Sequence, residues 1–458
     1  MDKILNESAK EMVSHEVHES NLTISVIGCG YLGAVHAACM ASLGHRVVGI
    51  DADADKVKRL TAGSSPFFEP QFPEVLSAAI ASDRLRFSTE IADVSQATVH
   101  FICVGTPQKR GENSADLTQI NDVVRRLSPH LKPGDIVVGK STVPVGTAER
   151  LAAEIRSVQP EAILAWNPEF LREGHAVADT FQPDRLVYGV SEDSDGQRAT
   201  QILDRVYAKI RAAGTPLIVT DYTTAELVKV AANSFLATKI SFINAMAELC
   251  EATGGDVIQL ADAIGHDARI GRHFLNAGLG FGGGCLPKDI RAFMARAGEL
   301  GVDQALTFLH EVDSINMRRR VRMVDLAREV CGGSIVGRRV AVLGAAFKPD
   351  SDDIRDSPAL SVAAQMSLQG ADVLVTDPKA IANATSRWPD LKFVDEVEEA
   401  VADAELVLLL TEWKQYVELD PRELMAIVKF PRMLDGRNAL DPTTWRAAGW
   451  VYRALGRR

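Results

Sequence analysis

The chain has 458 residues, of which 46% are hydrophobic and 24% are charged, and its formal net charge is -11. This length exceeds what one hydrophobic core supports, so two or three domains of ordinary globular composition are expected. The excess of acidic residues argues against a nucleic-acid surface, which needs clustered Lys and Arg.

The first 21 residues carry charges throughout and contain no apolar segment. This pattern predicts a flexible N-terminal extension rather than a signal peptide, which leaves the cytoplasm as the expected location. No later run of apolar residues approaches the length of a membrane span. We therefore expect a protein that does not interact with membranes.

Residues 22–220 alternate short apolar runs with longer amphipathic stretches. Runs buried on both faces, each followed by a helical stretch, are typical of a parallel doubly wound sheet. The predicted strands are Thr23–Ile27, Arg46–Ile50, Val99–Val104, Ile136–Gly139, Ile163–Trp166 and Leu217–Val219.

Residues 221–330 have a helical pattern. The stretch from Thr223 to Thr253 contains no Pro or Gly and is rich in apolar residues, which predicts one long helix buried on several sides. We expect this helical region to connect two lobes and to supply the contact of a homodimer.

A strand pattern restarts after Gly332 and Gly333 and predicts a second, smaller α/β domain over residues 335–458. Its predicted strands are Arg339–Leu343, Ala371–Thr376 and Glu405–Leu410. The predicted fold is therefore α/β, with two Rossmann-like doubly wound parallel-sheet domains joined by a helical domain with a long central helix. Ligands of such proteins bind in the cleft between lobes and at the carboxyl edges of the sheets.

A glycine motif, Gly28-Cys29-Gly30-Tyr31-Leu32-Gly33, follows the first strand and opens a helix. Gly28 suits a tight turn, Gly30 lets the backbone approach a pyrophosphate, and Gly33 lets helix and strand pack closely. Asp51 ends the next strand, where a carboxylate binds the ribose hydroxyls and repels a 2′-phosphate. The motif therefore predicts a dinucleotide site that favours NAD over NADP.

Cys285 lies in the glycine-rich segment FGGGCLPKD, which leaves its thiol accessible and is typical of a nucleophile. The other five cysteines show no CxxC pair and read as buried thiols, and the ten histidines show no ligand spacing, so no metal is predicted. Asp289 lies four residues after Cys285, near enough to orient a water or accept its proton.

Lys229 and Asn233 lie four residues apart on the long helix, so they share one face of it. Together they could stabilise a developing oxyanion, although a solvated lysine and asparagine would give the same spacing. Glu169, in NPEFLREG after a strand, is a candidate general base or a helix-capping carboxylate.

The chain resembles the UDP-glucose/GDP-mannose dehydrogenase family over nearly its whole length beyond residue 22. The motifs that carry the resemblance occur in order: GCGYLG, VGTP, STVPVGT, NPEFLREG, the helix VKVAANSFLATKISFINAMAELC, FGGGCLPKD and GAAFKPDSDDIRDSPAL. The resemblance implies four-electron oxidation of a sugar C6 alcohol by NAD through a thioester on Cys285. Oxyanion stabilisation by Lys229 and Asn233 is also implied, as is handling of water by Glu169 and Asp289.

The resemblance further implies the residues that contact each ligand. The second α/β domain would bind the nucleotide half of the sugar nucleotide, and Arg269 would reach the substrate of a neighbouring subunit. Thr142 is expected to join the catalytic set, which is otherwise Cys285, Lys229, Asn233, Glu169 and Asp289. The residues expected at NAD are Gly28, Gly30, Tyr31, Leu32, Gly33, Asp51, Lys56, Thr106, Thr142, Glu173, Lys288 and Arg355. The residues expected at the substrate are Glu169, Phe170, Leu171, Lys229, Asn233, Arg269, Phe274, Gly282, Phe347, Lys348 and Arg437.

UDP-glucose is the first expectation for the substrate, with GDP-mannose and a UDP-N-acetyl sugar as alternatives. Gly284 stands where Ser is commoner in the family, which puts in doubt any role of a hydroxyl beside the nucleophile. A two-electron hydroxyacid dehydrogenase and a non-enzymatic NAD sensor are the competing hypotheses. The second α/β domain and Cys285 argue against the former, and the complete set of candidate catalytic residues argues against the latter.

Overall fold

The computed structural model describes residues 21–457. The predicted N-terminal extension therefore lies outside the described residues except for its last position. Within the described residues, no helix is long and apolar enough to cross a bilayer.

The first lobe alternates strands and helices along the chain. Its strands are β1 (Thr23–Ile27), β2 (Arg46–Ile50), β3 (Leu85–Ser88), β4 (Val99–Ile102), β5 (Ile136–Gly139), β6 (Ile163–Trp166), β7 (Leu186–Gly189) and β8 (Leu217–Thr220). Its helices are α1 (Tyr31–Ser42), α2 (Ala54–Thr61), α3 (Phe72–Ala81), α4 (Thr118–Leu127), α5 (Thr147–Val158), α6 (Ala176–Phe181), α7 (Ser194–Val206) and α8 (Ala208–Ala212). Sequence analysis missed β3 and β7, each of which has four residues.

The strands of this lobe form one sheet in the order β3-β2-β1-β4-β5-β6-β7-β8. The first six follow the Rossmann order and run parallel, so the order reverses between β1 and β4, where such sheets bind their ligands. The sheet is not parallel throughout, because β7 pairs with β6 in the antiparallel sense at Trp166 and Gly189. Apolar residues on its two faces enter separate core clusters, which explains the continuous apolar runs.

The helical region consists of α9 (Tyr222–Thr253), α10 (Val257–Gly265), α11 (Leu286–Glu299) and α12 (Thr307–Val330). The Asp221 carboxylate accepts the N–H of Thr224 at 2.7 Å and so caps α9, which ends at Gly254 with a φ of 85°. The 32-residue α9 packs against both α11 and α12. The long predicted helix is therefore present and begins one residue earlier than expected.

The second lobe forms an all-parallel sheet in the order β11-β10-β9-β12-β13-β14. Its strands are β9 (Arg339–Leu343), β10 (Asp372–Thr376), β11 (Lys392–Phe393), β12 (Leu406–Leu409), β13 (Arg432–Asp435) and β14 (Val451–Ala454). Its helices are α13 (Pro358–Leu368), α14 (Ile381–Arg387), α15 (Val397–Val401), α16 (Lys414–Val417), α17 (Pro421–Met425) and α18 (Pro442–Ala447). The predicted fold of two Rossmann-like lobes joined by helices is confirmed.

Candidate active site

The glycine motif lies between β1 and α1, at the point where the strand order of the first sheet reverses. Gly28 has a φ of +91°, and a Cβ at Gly33 would lie 1.9 Å from the Gly28 carbonyl oxygen, so neither position tolerates a side chain. A Cβ at Gly30, by contrast, would have no atom within 4 Å. The open position at the amino end of α1 is the geometry that a pyrophosphate needs.

Asp51 immediately follows β2 and is fixed by its neighbours. One carboxylate oxygen accepts the Cys29 N–H at 2.8 Å and the Lys56 ammonium at 2.9 Å, and the other accepts the Asp53 N–H at 3.0 Å. The carboxylate thus stands at the sheet edge beside the glycine motif. This position fits the predicted contact with the ribose of NAD. The oxygen that does not pair with Lys56 accepts the Asp53 N–H from the loop after β2.

Further hydrogen bonds join segments along this edge. The Thr106 hydroxyl donates to the Thr142 carbonyl oxygen at 2.7 Å, which ties the loops after β4 and β5 together. Tyr31 donates its hydroxyl to Glu69, and the same buried carboxylate accepts the N–H groups of Gly174 and Ala176, both at 2.7 Å. Glu69 therefore fixes the start of α6 against the glycine motif, a role that sequence analysis did not assign.

Cys285 directly precedes α11 and is the one exposed cysteine among the described residues. The glycines before it pack against the second lobe. A Cβ at Gly282 would lie 2.3 Å from the Asp356 carbonyl oxygen, and a Cβ at Gly284 would lie 2.2 Å from the guanidinium carbon of Arg355. A side chain at position 284 would therefore have to displace the flexible guanidinium end of Arg355.

The charges around Cys285 act on its thiol in opposite directions. Although solvent reaches Cys285, the surrounding protein raises the pKa of the thiol, first by desolvation and then by the negative charge of Asp289. The positive charges of Lys229 and Lys288 lower the pKa but do not outweigh these effects. The thiol is protonated near neutral pH without substrate, so attack on a carbonyl requires loss of its proton.

Lys229 and Asn233 share one face of α9, as the spacing predicted, but they have different neighbours. The Asn233 amide donates to the buried Asp289 carboxylate at 2.6 Å, and Lys288 donates to the other oxygen of that carboxylate at 2.5 Å. The Lys229 ammonium lies 5.4 Å from the ring centroid of Phe170, and no carboxylate in residues 21–457 pairs with it. Lys229 is thus the cation available to an oxyanion, whereas Asn233 fixes Asp289.

A cavity of about 330 Å³ lies beside this face of α9. Glu169, Lys229 and Asn233 line it with the predicted substrate residues Phe170, Leu171 and Phe274. Cys285 is not in its wall, but Lys229 is the largest positive influence on the thiol, so the two features are adjacent. Thr142, Lys288 and Asp289 line a narrow second pocket, which places Thr142 near the Asp289 carboxylate.

The two lobes meet at Glu173, a predicted NAD residue. Its carboxylate accepts Arg355 at 3.1 Å and the Ser351 hydroxyl at 3.3 Å, and its carbonyl oxygen accepts the Lys348 ammonium. Lys348 also lies 5.4 Å from the ring centroid of Phe347. These contacts bring residues predicted for NAD and for the substrate together at one lobe boundary.

Two predicted substrate residues have other partners in the structure. Arg437 donates to the carbonyl oxygens of Leu410 at 2.7 Å, Phe347 at 3.0 Å and Gly280 at 3.2 Å, so it holds the glycine loop against the second lobe. Arg269 is 89% exposed and pairs with Asp267 two residues before it. Their contacts with substrate stay predictions. No group of three or more candidate metal ligands occurs in the described residues.

Sequence analysis also missed Lys140, which follows β5 directly and is buried. Its ammonium pairs with Glu169 at 3.0 Å. The available signal was a polar residue placed immediately after a buried strand, the same signal that identified Asp51 after β2. Lys140 went unassigned because a lysine at that position can equally extend into solvent.

Three models of one family match the chain. They are described as the UDP-glucose/GDP-mannose dehydrogenase family NAD binding domain over residues 22–211, its central domain over residues 223–318 and its UDP binding domain over residues 341–442. The matched segments cover most of the first lobe, most of the helical region and much of the second lobe.

Similar proteins align over almost the whole chain. The UDP-glucose 6-dehydrogenase of Rhizobium meliloti (strain 1021) is 39% identical over 439 residues, which cover 95% of this chain and 100% of that protein. The UDP-glucose 6-dehydrogenase YwqF of Bacillus subtilis (strain 168) is 38% identical and covers 95% and 98%. The solved structure of a UDP-glucose dehydrogenase from Pyrobaculum islandicum has a TM-score of 0.87, is 37% identical and covers 96% of this chain and 99% of that one.

Proposed function

Because the chain belongs to the UDP-glucose/GDP-mannose dehydrogenase family, as its motifs predicted, we propose that it oxidises UDP-glucose to UDP-glucuronate with NAD. The observation that carries the proposal is the position of Cys285. This solvent-accessible thiol precedes α11, is influenced by Lys229 and Asp289, and lies in a loop held against the second lobe.

The residues of the first lobe fit NAD. The open position at Gly30, the amino end of α1 and the fixed carboxylate of Asp51 would hold the pyrophosphate and a ribose. Bound NAD supplies an acceptor for two electrons in each of two oxidations, so the conversion of one alcohol to a carboxylate consumes two molecules of NAD. Asp51 would repel the 2′-phosphate of NADP.

Cys285 supplies the covalent step between the two oxidations. Its sulfur forms a bond to the aldehyde carbon, and its proton passes to the former carbonyl oxygen, which gives a thiohemiacetal. Lys229 would stabilise the negative charge that develops on that oxygen, because its ammonium has no carboxylate partner in the described residues. Oxidation of the thiohemiacetal leaves a thioester, so the aldehyde is never released.

Hydrolysis of the thioester needs a water held near Cys285. Asp289 is suited to this task, because it lies four residues after Cys285. Asn233 and Lys288 fix its carboxylate by hydrogen bonds. Water adds to the acyl carbon, the carbon–sulfur bond breaks, and the thiol recovers its proton. The expected contribution of Glu169 as a base stays a prediction; one of its oxygens accepts the N–H groups of Phe170 and Leu171, and the other accepts Lys140.

The substrate assignment rests on the relatives and on the second lobe. The second lobe lacks GxGxxG after β9, and Lys348 and Phe347 face the lobe boundary where a nucleotide sugar would lie. UDP-glucose is the substrate that the aligned dehydrogenases are named for. GDP-mannose and a UDP-N-acetyl sugar are the alternatives to compare directly.

The test is the amount of NADH produced per mole of UDP-glucose, with GDP-mannose and a UDP-N-acetyl sugar in parallel. We expect two NADH per UDP-glucose for the wild type and a rate at least about a hundredfold lower for Cys285→Ser. Cys331→Ala, at a buried thiol after α12, is the matched control and should retain the wild-type stoichiometry. One NADH with an active Cys285→Ser variant would refute the thioester, and turnover of another sugar alone would reassign the substrate.

We also infer a homodimer and a cytoplasmic location. Three exposed apolar residues, Phe235, Phe242 and Leu249, recur at seven-residue intervals along α9, so one face of this helix is apolar. A second copy of the same helix is the expected partner. Light scattering should give the mass of a dimer, and Phe242→Asp should reduce it to that of a monomer if this face forms the contact.

A further inference from the structure

Lys140 is a buried lysine whose hydrogen bonds are all made within the first lobe. Its ammonium donates to the Asn167 side-chain oxygen at 3.0 Å and lies 3.0 Å from Glu169 and 3.4 Å from the Tyr207 hydroxyl. An ammonium has three N–H groups, and these three partners account for all of them. Lys140 therefore has no donor left for a substrate, and any effect it has on the reaction passes through its partners.

Glu169 is the partner of Lys140 that lines the substrate cavity. One of its oxygens accepts the N–H groups of Phe170 and Leu171 at 2.7 and 2.9 Å, and the other accepts Lys140. The carboxylate is thus held in one orientation from two sides. Removing Lys140 would leave one oxygen of this half-buried carboxylate without its charged partner.

We propose that Lys140 is a positioning residue that keeps Glu169 ionised and fixed in the wall of the substrate cavity. Glu169 then meets the sugar as an anionic hydrogen-bond acceptor. The inference rests on the proposed function for its consequence in catalysis, but the ion pair can be tested without any substrate.

The electrostatic balance at the pair agrees with the geometry. Burial alone would raise the pKa of Glu169, but the charge and hydrogen bond of Lys140, with the two backbone donors, lower it below its ordinary value. Burial alone would lower the pKa of Lys140, and the charge of Glu169 raises it instead. Both groups are therefore charged at neutral pH.

The other titratable groups around the pair do not replace either charge. Burial lowers the pKa of His36, and burial raises the pKa of Cys39, Cys103 and Tyr207, so all four are neutral at pH 7. Across the cavity, Arg172 pairs with Asp179, and Arg185 stacks on the Phe170 ring at 3.9 Å. The remaining charged groups that line the cavity are Asp184 and Lys229.

The first experiment measures unfolding of Lys140→Met by urea between pH 5 and pH 8. Without its cation, Glu169 is a half-buried carboxyl whose pKa is raised by desolvation, so the folded state binds a proton that the unfolded state releases. The variant should lose stability relative to the wild type as the pH rises from 5 to 8. Lys58→Met, at an exposed lysine of α2, is the control and should show a difference that does not depend on pH. A pH-independent loss for Lys140→Met would show a packing role and overturn the proposal.

A double variant keeps the test decisive if Lys140→Met does not fold. Lys140→Met with Glu169→Gln removes both charges, and breaking a buried pair from one side costs more than replacing both partners. At pH 8 we expect the double variant to unfold at a higher urea concentration than Lys140→Met alone, or to fold where the single variant does not. A double variant less stable than the single variant would overturn the proposal.

Kinetics connect the pair to the reaction. Loss of the Lys140 cation should raise the pKa of Glu169, because burial then acts on the carboxyl without that opposing charge. The ratio of kcat/KM for Lys140→Met to that of the wild type should then increase about threefold to tenfold between pH 6 and pH 9. A constant ratio would refute the effect on catalysis. Inactivity of the wild type toward all three nucleotide sugars would instead refute the proposed function, while the urea result would still decide the ion pair.

Discussion

Glu173 provides a quantitative test of the contact between the two lobes. Its side chain is 12% exposed, and Arg355 donates to it at 3.1 Å. Arg355 is held more closely by Asp353, with distances of 2.7 and 2.9 Å, so much of its charge is already compensated. Burial first, and the charge of Asp353 second, raise the pKa of Glu173 from its ordinary value of 4.5 to about 7.

The sign of the effect on stability follows from this raised pKa. Between pH 4.5 and pH 7 the folded state holds a proton on Glu173 that the unfolded state has released, so stability falls as the pH rises through this range. Each tenfold change in proton affinity corresponds to about 1.4 kcal/mol, so the ionised carboxylate costs about 3 kcal/mol above pH 7. Glu173→Gln keeps the shape of the side chain and removes this cost.

The assay is urea unfolding of the apoprotein at pH 5 and pH 8. Glu173→Gln should be about 3 kcal/mol more stable than the wild type at pH 8, and the two should converge as the pH falls toward 5. Glu192→Gln, at an exposed residue of the same lobe, is the matched control and should differ little from the wild type at either pH. A Glu173→Gln variant that is less stable at pH 8, or a difference independent of pH, would refute the electrostatic reasoning.

Substitutions at three further positions test the Cys285 loop and the cofactor site. Gly284→Ser should lower kcat about tenfold or more, because its Cβ would lie 2.2 Å from the Arg355 guanidinium carbon and displace that side chain. Gly284→Ala should do the same, and full activity in either variant would contradict the packing argument. Asp51→Asn should raise the ratio of NADP to NAD turnover at least tenfold, since it removes the carboxylate that repels a 2′-phosphate and partly frees Lys56. An unchanged ratio would place the ribose elsewhere. Asn316→Ala should cost about 1–3 kcal/mol of stability and slow Cys285-dependent turnover, because the Asn316 amide both donates to and accepts from the backbone of the Cys285 loop, at 3.0 and 2.7 Å. Wild-type reactivity of the thiol toward iodoacetamide in this variant would show that the loop does not depend on Asn316.

Local patterns in the sequence were sufficient for the fold class and for most of the central strands. A buried parallel strand appears as a continuous apolar run, so β1, β2, β5, β6 and β9 were predicted with the bounds that the structure gives them. The strands that were missed, such as β3 and β14, are short or have alternating exposed residues. The antiparallel entry of β7 also escaped prediction, because strand direction depends on pairing rather than on composition.

The glycine motifs and Cys285 were recognisable because their chemistry depends on neighbours in the chain. A glycine motif forms its loop from consecutive residues, and Cys285 precedes its own helix. The spacing of Lys229, Asn233 and Asp289 suggested their roles, and the resemblance to a family implied the same roles. Only the tertiary structure showed that Asn233 donates to Asp289 and that Arg437 holds backbone carbonyl groups.

The sequence by itself predicted the two sheets, the long helix, the dinucleotide loop and Cys285 as the candidate nucleophile, because each is specified by residues close together in the chain. The tertiary structure decided which charges meet. Lys140 reaches Glu169 from a neighbouring strand, and Arg355 reaches Glu173 across 182 positions of sequence. Burial and proximity between distant residues set the pKa of each carboxylate, and neither is encoded in a local pattern.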